Sequence, residues 1–366
     1  MPQIPLITHL LPTLSRAGAE RVALELVARL PARGFKTRLL VLFGVGPLRE
    51  ELRQRNVRWS PVLAHHGESR LTLLRVLFVK LFGDPERSSS IVHTHLFGSD
   101  FWTPLAWMFG RLLGSRASRP VFLSTAHSVD CEDTALRRAA RQWGLRRMDK
   151  VIAVSEEVAR YVHEDLGVPT DRIVHIPNGV DMGNVRFRAD RLFHATPQLL
   201  MVGRLEIQKG HDTVLYALAD ITEPWELSIV SNGSQLRELK ELAEHLGIAS
   251  RVRFLGERND VPDLLVQADV VLSPSRWEGL GLAVIEALAA AVPLIASDIP
   301  AYREFIPKAL LVPPDTPAAW THAIRAVLAD SASAVARAQK LAPEIRKRYD
   351  VEVMVDRYAA LYRELL

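Results

Sequence analysis

The feature that most constrains this chain is a regular alternation of short apolar runs with amphipathic helical stretches. The runs Ile4–His9, Thr37–Phe43, Ile91–Thr94, Val121–Ala126, Lys150–Val154 and Ile173–Ile176 have the length and composition of buried strands. Between them lie helical patterns: Gly18–Leu30, stopped by Pro31 and Gly34, then Asp133–Met148 and Glu156–Leu166. Parallel strands need a crossover between them, and a helix is the usual crossover. Strict β–α alternation therefore predicts a parallel sheet covered by helices on both faces.

The pattern then restarts. Gln198–Val202, Glu226–Val230, Val252–Leu255, Asp269–Ser273 and Pro293–Ser297 read as strands, and His211–Ala219, Gln235–Leu246, Val261–Gln267 and Gly281–Ala291 as helices. A chain of 366 residues is long enough for two domains at roughly 100–200 residues each. A strong turn signal, Pro177-Asn178-Gly179 followed by Val180-Asp181, marks the break. The expected division is 1–180, 181–348 and a closing helix over 349–366. That helix carries Val351, Met354, Val355, Tyr358, Leu361, Tyr362 and Leu365 at helical spacing, and it is expected to dock back on the first domain. Two such units predict a cleft between the carboxyl ends of their sheets, where ligands bind in α/β proteins.

Composition removes several classes. Apolar residues are 48% and charged residues 24%, as in ordinary globular proteins, and no low-complexity tract occurs. The single cysteine, Cys131, excludes an intrachain disulfide and fits a reducing cytoplasm. The N-terminus lacks the basic region and cleavage site of a signal peptide, and no uncharged apolar run of about 18 residues predicts a membrane span. Residues 1–182 hold 25 basic and 18 acidic side chains, and residues 183–366 hold 21 and 24. The basic first half suits an anionic partner, whether a membrane surface, a phosphorylated acceptor or nucleic acid; an ordinary Arg-rich surface is the competing reading. No aromatic-basic platform supports nucleic-acid binding.

Two stretches carry chemistry. Ser275-Arg276-Trp277-Glu278-Gly279-Leu280-Gly281-Leu282-Ala283-Val284-Ile285-Glu286 follows a buried strand and enters a helix through a glycine-rich turn. The first N–H groups of a helix have no partner inside it, so with the helix dipole they form an anion site suited to a diphosphate. Glu278 and Glu286 can each accept hydrogen bonds from a pair of hydroxyls. Gly203-Arg204-Leu205-Glu206-Ile207-Gln208-Lys209-Gly210 follows the first strand of the second half and places two cations at another helix start.

In this order the two stretches resemble family 4 glycosyltransferases, which adopt the GT-B fold of two Rossmann-like α/β domains facing each other across a cleft. The family's Gly-Arg-Leu…Lys-Gly loop is matched by Gly203-Arg204-Leu205…Lys209-Gly210, and its Glu-x7-Glu motif by Glu278…Glu286. First-domain landmarks are similar too: Leu10-Leu11-Pro12…Ala17-Gly18-Ala19-Glu20-Arg21, Ile91-Val92-His93-Thr94-His95, Thr125-Ala126-His127-Ser128 and Val151–Glu156, with Ile176–Asp181 between domains. Ala17 departs from the pattern, since many members carry glycine there.

The resemblance implies a retaining transfer of a sugar from a nucleoside-diphosphate sugar, a UDP- or GDP-sugar, to a glycan or lipid-linked acceptor in envelope polysaccharide or glycolipid synthesis. It implies that Arg204 and Lys209 hold the donor diphosphate and that Glu278 binds the transferred sugar. The backbone of Gly279, Leu280, Gly281 and Leu282 meets the sugar, and that of Leu282, Ala283 and Val284 the phosphates. Glu286 holds the ribose. Gly18 and Gly203 border the donor, His127 touches sugar or acceptor, and Gly256-Glu257-Arg258 flanks the base. No Asp-x-Asp pair occurs, so no metal cofactor is expected. The expected location is cytoplasmic, with peripheral attachment to an anionic membrane as a further expectation. The alternatives are a GT-B phosphorylase, a sugar-nucleotide epimerase, or a nucleotide-sugar-binding protein without catalysis.

Three further features have two readings each. His93 and His95 alternate on a strand, so both rings share a face; a structural or acceptor-side role competes with metal binding. Gly44-Val45-Gly46-Pro47 superficially resembles a dinucleotide fingerprint but lacks the third glycine. The segment Arg70–Phe82, very apolar yet with Arg70, Arg75 and Lys80, is either an interfacial helix or a core helix of the first domain. Arg137, Arg138, Arg141, Arg146 and Arg147 add positive charge nearby in sequence.

Overall fold

The structure is a computed structural model that describes residues 4–15, 17–43, 46, 48–55, 57–63, 69–83, 89–129, 134–187 and 192–366. Cys131, Asp133 and most of the Gly44–Pro47 stretch lie outside the described residues. The chain forms two compact units, Met1–Gly179 with Val351–Leu366, and Val180–Asp350.

The first unit holds strands β1 (Leu6–Leu11), β2 (Lys36–Phe43), β3 (Trp59–Leu63), β4 (Ile91–His95), β5 (Val121–Ala126), β6 (Lys150–Ala153) and β7 (Ile173–His175). Its helices are α1 (Gly18–Arg29), α2 (Arg49–Gln54), α3 (Arg70–Phe82), α4 (Phe97–Leu112), α5 (Ala135–Leu145) and α6 (Glu156–Glu164). The sheet order is β3-β2-β1-β4-β5-β6-β7, and every pair is parallel. Strand order reverses between β1 and β4, so a crevice opens there at the carboxyl ends of the strands.

Local chemistry explains these boundaries. Ser69, Thr134 and Ser155 each accept a backbone N–H from three residues on, at 3.1, 3.3 and 3.1 Å, so α3, α5 and α6 begin at side-chain caps. The stretch expected as Asp133–Met148 is therefore helical only from Ala135 to Leu145. Trp59–Leu63 escapes period-2 reading because Pro61 interrupts it; a proline is tolerated there because β3 is an edge strand. Helix α3 buries Leu73, Leu77, Leu81 and Phe82, with Phe82 edge-on to Trp107 of α4 at 5.1 Å. Its opposite line, Leu71, Arg75 and Val79, is exposed.

The second unit holds β8 (Gln198–Val202), β9 (Glu226–Val230), β10 (Val252–Gly256), β11 (Val270–Ser273), β12 (Leu294–Ser297) and β13 (Leu311–Val312). Its helices are α7 (His211–Ala219), α8 (Leu236–His245), α9 (Val261–Gln267), α10 (Leu282–Ala289), α11 (Pro300–Arg303), α12 (Pro317–Ala329) and α13 (Ser331–Arg348). The order is β10-β9-β8-β11-β12-β13, again all parallel. The switch point falls between β8 and β11. Trp225 and Trp320 are fully buried in this core, and each indole N–H reaches a carbonyl, of Ile221 and Pro313, both at 3.2 Å, which removes the cost of burying an unpaired donor.

The last helix, α14 (Val351–Leu365), belongs to the first unit. Arg29 and Arg33 pair with its Glu352, and Arg33 also reaches Asp356 at 3.0 Å. Its Tyr358 and Tyr362 are wholly buried, bonded to Thr125 at 3.0 Å and to His93 at 2.6 Å.

Candidate active site

The loops leaving β8 and β11 are adjacent because their strands pair, Val270 beside Leu199 and Val271 beside Leu200. The first is Gly203–Gly210 and the second Pro274–Gly281. Strand pairing thus brings both sequence-predicted stretches to the switch point of the second sheet.

Several bonds lock the two loops together. The Arg276 N–H donates to the Gln208 carbonyl at 2.7 Å, and the Gln208 amide donates to the Trp277 carbonyl at 2.8 Å. The Arg276 guanidinium reaches Asp212 at 2.9 Å and Asp315 at 2.7 Å. Gly210 adopts a left-handed φ of 61° at the start of α7, and a Cβ there would lie 2.2 Å from the Pro274 carbonyl oxygen; only glycine permits this approach.

Within this frame Lys209 donates to the Oε1 of Glu278, which is buried. The same oxygen accepts from Ser275 Oγ at 2.8 Å and Tyr302 OH at 3.3 Å. Tyr302 OH also bonds Ser273 Oγ at 2.8 Å. Burial, and then the adjacent Glu278 charge, push the Tyr302 phenol well above its ordinary range, so it stays protonated and can donate. Lys209, Gly203, His211, Ser273 and Ser275 line a small pocket open to solvent. Burial, followed by the Lys209 charge, lowers His211 to about 4, so His211 adds no further positive charge beside Lys209 at neutral pH.

Helix α10 starts after Gly281, whose φ of 89° is left-handed. A Cβ at Gly281 would lie 2.5 Å from the Tyr302 ring. The N–H groups of Val284 and Ile285 donate back to the Gly281 carbonyl, whereas those of Leu282 and Ala283, among the described residues, have no acceptor. The side chains of Leu280 and Val284 are buried, so these residues offer only backbone. Glu286 lies one turn beyond Leu282 on the same half-exposed face as Leu282 and Ala283.

The remaining predicted residues take no part in the Lys209–Glu278 hydrogen-bond network. Arg204 is exposed and, among the described residues, its guanidinium has no partner. Arg258 follows the edge strand β10 and makes a two-point contact with Asp260 at 2.8 and 2.6 Å, which holds its guanidinium above its ordinary range. Gly18 opens α1 and His127 follows β5, both in the first unit. His127 Nε2 lies 3.1 Å from His95 Nδ1. Sequence reasoning missed Tyr302 and His211 as site residues. Tyr302 lies 24 positions from Glu278 on another helix, and nothing local marks it.

Comparison with known proteins bears on this constellation. The model described as Glycosyltransferase Family 4 matches residues 16–184, and that described as Glycosyl transferases group 1 matches residues 186–348. The lipopolysaccharide core biosynthesis mannosyltransferase LpsB of Rhizobium meliloti is 30% identical over 243 residues, 61% of this chain and 67% of that protein. The UDP-Gal:alpha-D-GlcNAc-diphosphoundecaprenol alpha-1,3-galactosyltransferase of Escherichia coli is 27% identical over 80% of this chain and 78% of its own. Among solved structures, Anabaena Alr3699/HepE in complex with UDP and glucose superposes with a TM-score of 0.84 at 18% identity, covering 97% of this chain and 98% of that one. That likeness identifies the fold as GT-B. Family models across both units, the relatives, and the Gly-Arg-Leu…Lys-Gly and Glu-x7-Glu motifs at one switch point agree: the chain is a glycosyltransferase and belongs to family 4.

Proposed function

We propose that this enzyme moves a hexosyl group from a UDP- or GDP-sugar to a glycan or lipid-linked glycan, keeping the anomeric configuration and using no metal. The observation that carries the donor reading is the Lys209–Glu278 pair beside the free Leu282 and Ala283 N–H groups. A cation and an unsatisfied helix start are what a diphosphate needs. Glu278, fixed by Ser275 and Tyr302, offers a carboxylate to sugar hydroxyls, and Glu286 offers one to the ribose. Arg204, Lys209 and the α10 amides form the diphosphate subsite; Gly203 and Gly279–Val284 supply close backbone, and Arg258 borders the base. By family resemblance Gly18 borders the reacting sugar and His127 contacts the sugar or acceptor.

In the reaction the bond from the anomeric carbon to the diphosphate oxygen breaks, and the electron pair leaves with the nucleotide. The acceptor oxygen forms the new bond to that carbon, and its proton passes to the departing diphosphate or to solvent. Charge accumulates on the diphosphate, so preplaced cations and amides lower the barrier without a metal. UDP and glucose in the Anabaena structure and the diphosphoundecaprenol acceptor of the Escherichia coli relative support these ligand classes.

The acceptor-side surface supports attachment to an anionic leaflet. Leu71 and Val79 of α3, Met108 and Leu112 of α4, the adjoining Leu113, and Leu136 of α5 are exposed large apolar side chains. Arg75, Arg111, Arg116, Arg137 and Arg138 are exposed on the same segments. Helices α3 and α4 pack together, as do α4 and α5, and apolar side chains set among cations are the chemistry of an interfacial surface. Among the described residues no helix is long and apolar enough to cross a membrane.

The test of the donor reading is thermal stabilisation by a panel of UDP-, GDP- and ADP-sugars. Stabilisation by UDP- or GDP-sugars together with release of the nucleotide during transfer is expected. No stabilisation by any of them would overturn it.

A further inference from the structure

The face of the first sheet under α14 holds four histidines. His9 on β1 is in register with His93 on β4; His95 lies two residues on, and His127 just beyond β5. His9, His93 and His95 are fully buried. Three of the rings form a chain. His9 Nδ1 lies 3.1 Å from His95 Nε2, and His95 Nδ1 lies 3.1 Å from His127 Nε2. The ring centroids lie 5.4 Å apart in both contacts, about as far as an N···N separation of 3.1 Å allows, so the rings meet nitrogen to nitrogen near their planes, where the N–H and lone pair of an imidazole point. The two outer nitrogens, His9 Nε2 and His127 Nδ1, are buried and, among the described residues, have no partner.

Burial holds all these rings neutral: His9 and His127 are lowered to about 3, and His93 and His95 well below their ordinary value. A neutral imidazole has one N–H and one lone pair. His95 uses both nitrogens in the chain, so it must donate on one side and accept on the other. Its neighbours are then forced. Either all three rings carry the proton on Nδ1 or all three carry it on Nε2; a mixed chain would set two lone pairs or two protons against each other.

The chain ends separate these states. With protons on Nε2, His9 would bury an N–H donor at the inner end of the chain with nothing to accept it. With protons on Nδ1, that end holds an unused lone pair, and the one unmet donor is His127 Nδ1–H. Each state leaves one buried N–H unmet. The half-exposed His127 ring lies nearer to water or a ligand than the wholly buried His9 ring, so the unmet donor costs less at His127. We infer that His95 and His9 are positioning residues that fix His127 as a neutral Nδ1–H donor, ready to meet a ligand oxygen (a hydroxyl or phosphate oxygen) and unable to serve as a base through that atom. The ligand's identity rests on the function proposed above; the tautomer does not.

A metal site is the rival for the same cluster, since one nitrogen from each of His9, His93 and His95 lies within 4.8 Å of the others. Both nitrogens of His93 are already engaged, by Tyr362 OH at 2.6 Å and Thr125 Oγ1 at 2.8 Å, and both of His95 are used in the chain. An ion would have to break these bonds.

The experiment is long-range ¹H–¹⁵N correlation on ¹⁵N-histidine-labelled, ligand-free full chain, assigned by single-histidine variants. His9, His95 and His127 are expected to be neutral Nδ1–H tautomers at pH 7. In His95→Phe, His127 is expected to shift toward the Nε2–H form; in His95→Gln, whose amide can donate to His127 Nε2, Nδ1–H is expected to persist. Thermal unfolding checks that each variant folds, and if His95→Phe does not fold, the wild-type tautomers alone decide. Nε2–H at His127, differing tautomers among the three, or stoichiometric binding of added Zn²⁺ with loss of these signals would overturn the inference. Loss of the function proposed above would leave these spectra unchanged, so the two fail separately.

Discussion

Lys209 donates to Glu278 across 69 positions of sequence, and this contact joins the loop after β8 to the loop after β11. Both groups are largely shielded from water, with side-chain exposures of 20% and 8%, so neither charge is free to wander and each orients the other. Glu278→Gln is expected to keep nucleotide binding within a few-fold and to lower turnover by ~10²-fold, since the charged acceptor at the transferred sugar is lost. Steady-state kinetics with a nucleotide titration checks this. Unchanged turnover would remove Glu278 from the site.

On the function proposed above, Arg204, Lys209 and the α10 amides hold the diphosphate without a metal. Transfer is therefore expected to persist in excess EDTA. Abolition by EDTA with rescue by Mg²⁺ or Mn²⁺ would show that a cation completes the subsite. The same assay with Arg204→Ala should show nucleotide affinity reduced by about tenfold, the scale of one charge-assisted hydrogen bond.

Gly281 and Gly247 make a matched pair. Both have left-handed φ, 89° and 71°, but a Cβ at Gly281 would strike Tyr302 whereas one at Gly247 meets nothing within 4 Å. Each alanine substitution should destabilise the fold by about 1–3 kcal/mol through backbone strain. Only Gly281→Ala should also weaken nucleotide binding, by tenfold or more, because it displaces the start of α10. Equal binding losses in the two variants would show that the effect is global.

Asp100 is buried and accepts from Thr94 at 2.6 Å and Ser124 at 2.7 Å through one oxygen. Burial raises its carboxyl to about 6 despite those bonds. A raised acid favours folding when protonated. That contribution is full below about pH 4 and is lost as pH rises to about 6, by about 1–3 kcal/mol. Asp100→Asn, which keeps the acceptor oxygen, is expected to unfold at a higher temperature than wild type at pH 7.5 and to lose that advantage near pH 4.5. Thermal melts across that window are the check, and a variant less stable at pH 7.5 would contradict it.

The exposed apolar and arginine-rich face of α3, α4 and α5 should bind anionic vesicles at low salt and release them at high salt. Leu112 and Leu113 stand 85% and 69% exposed at the end of α4, and Leu136 82% on α5, so replacing the three by serine should weaken co-sedimentation without lowering stability. Equal, negligible binding to neutral and anionic vesicles would leave these side chains as ordinary surface and favour an acceptor free in solution.

Much of the molecule is legible in the amino-acid sequence alone. Apolar periodicity placed β8, α7 and α9 at their observed bounds, because regular burial imposes a period of 2 or 3.6 on any stable element. The motifs carrying Arg204, Lys209, Glu278 and Glu286 are readable because each is a run of charged residues and glycine between a strand end and a helix start, and such runs are local in sequence. Edge strands were poorly legible: β3 tolerates Pro61 and β13 is two residues long, since an edge needs neither a full ladder nor two apolar faces. What only the tertiary structure decided is the company these residues keep. The pairing of β8 with β11 set Lys209 against Glu278, the packing of α11 set Tyr302 beneath Gly281, and the neighbouring registers of β1, β4 and β5 aligned His9, His95 and His127. Periodicity carries information about one element at a time; a hydrogen bond between residues 69 or 86 positions apart depends on strand order and register, which only the folded sheet determines.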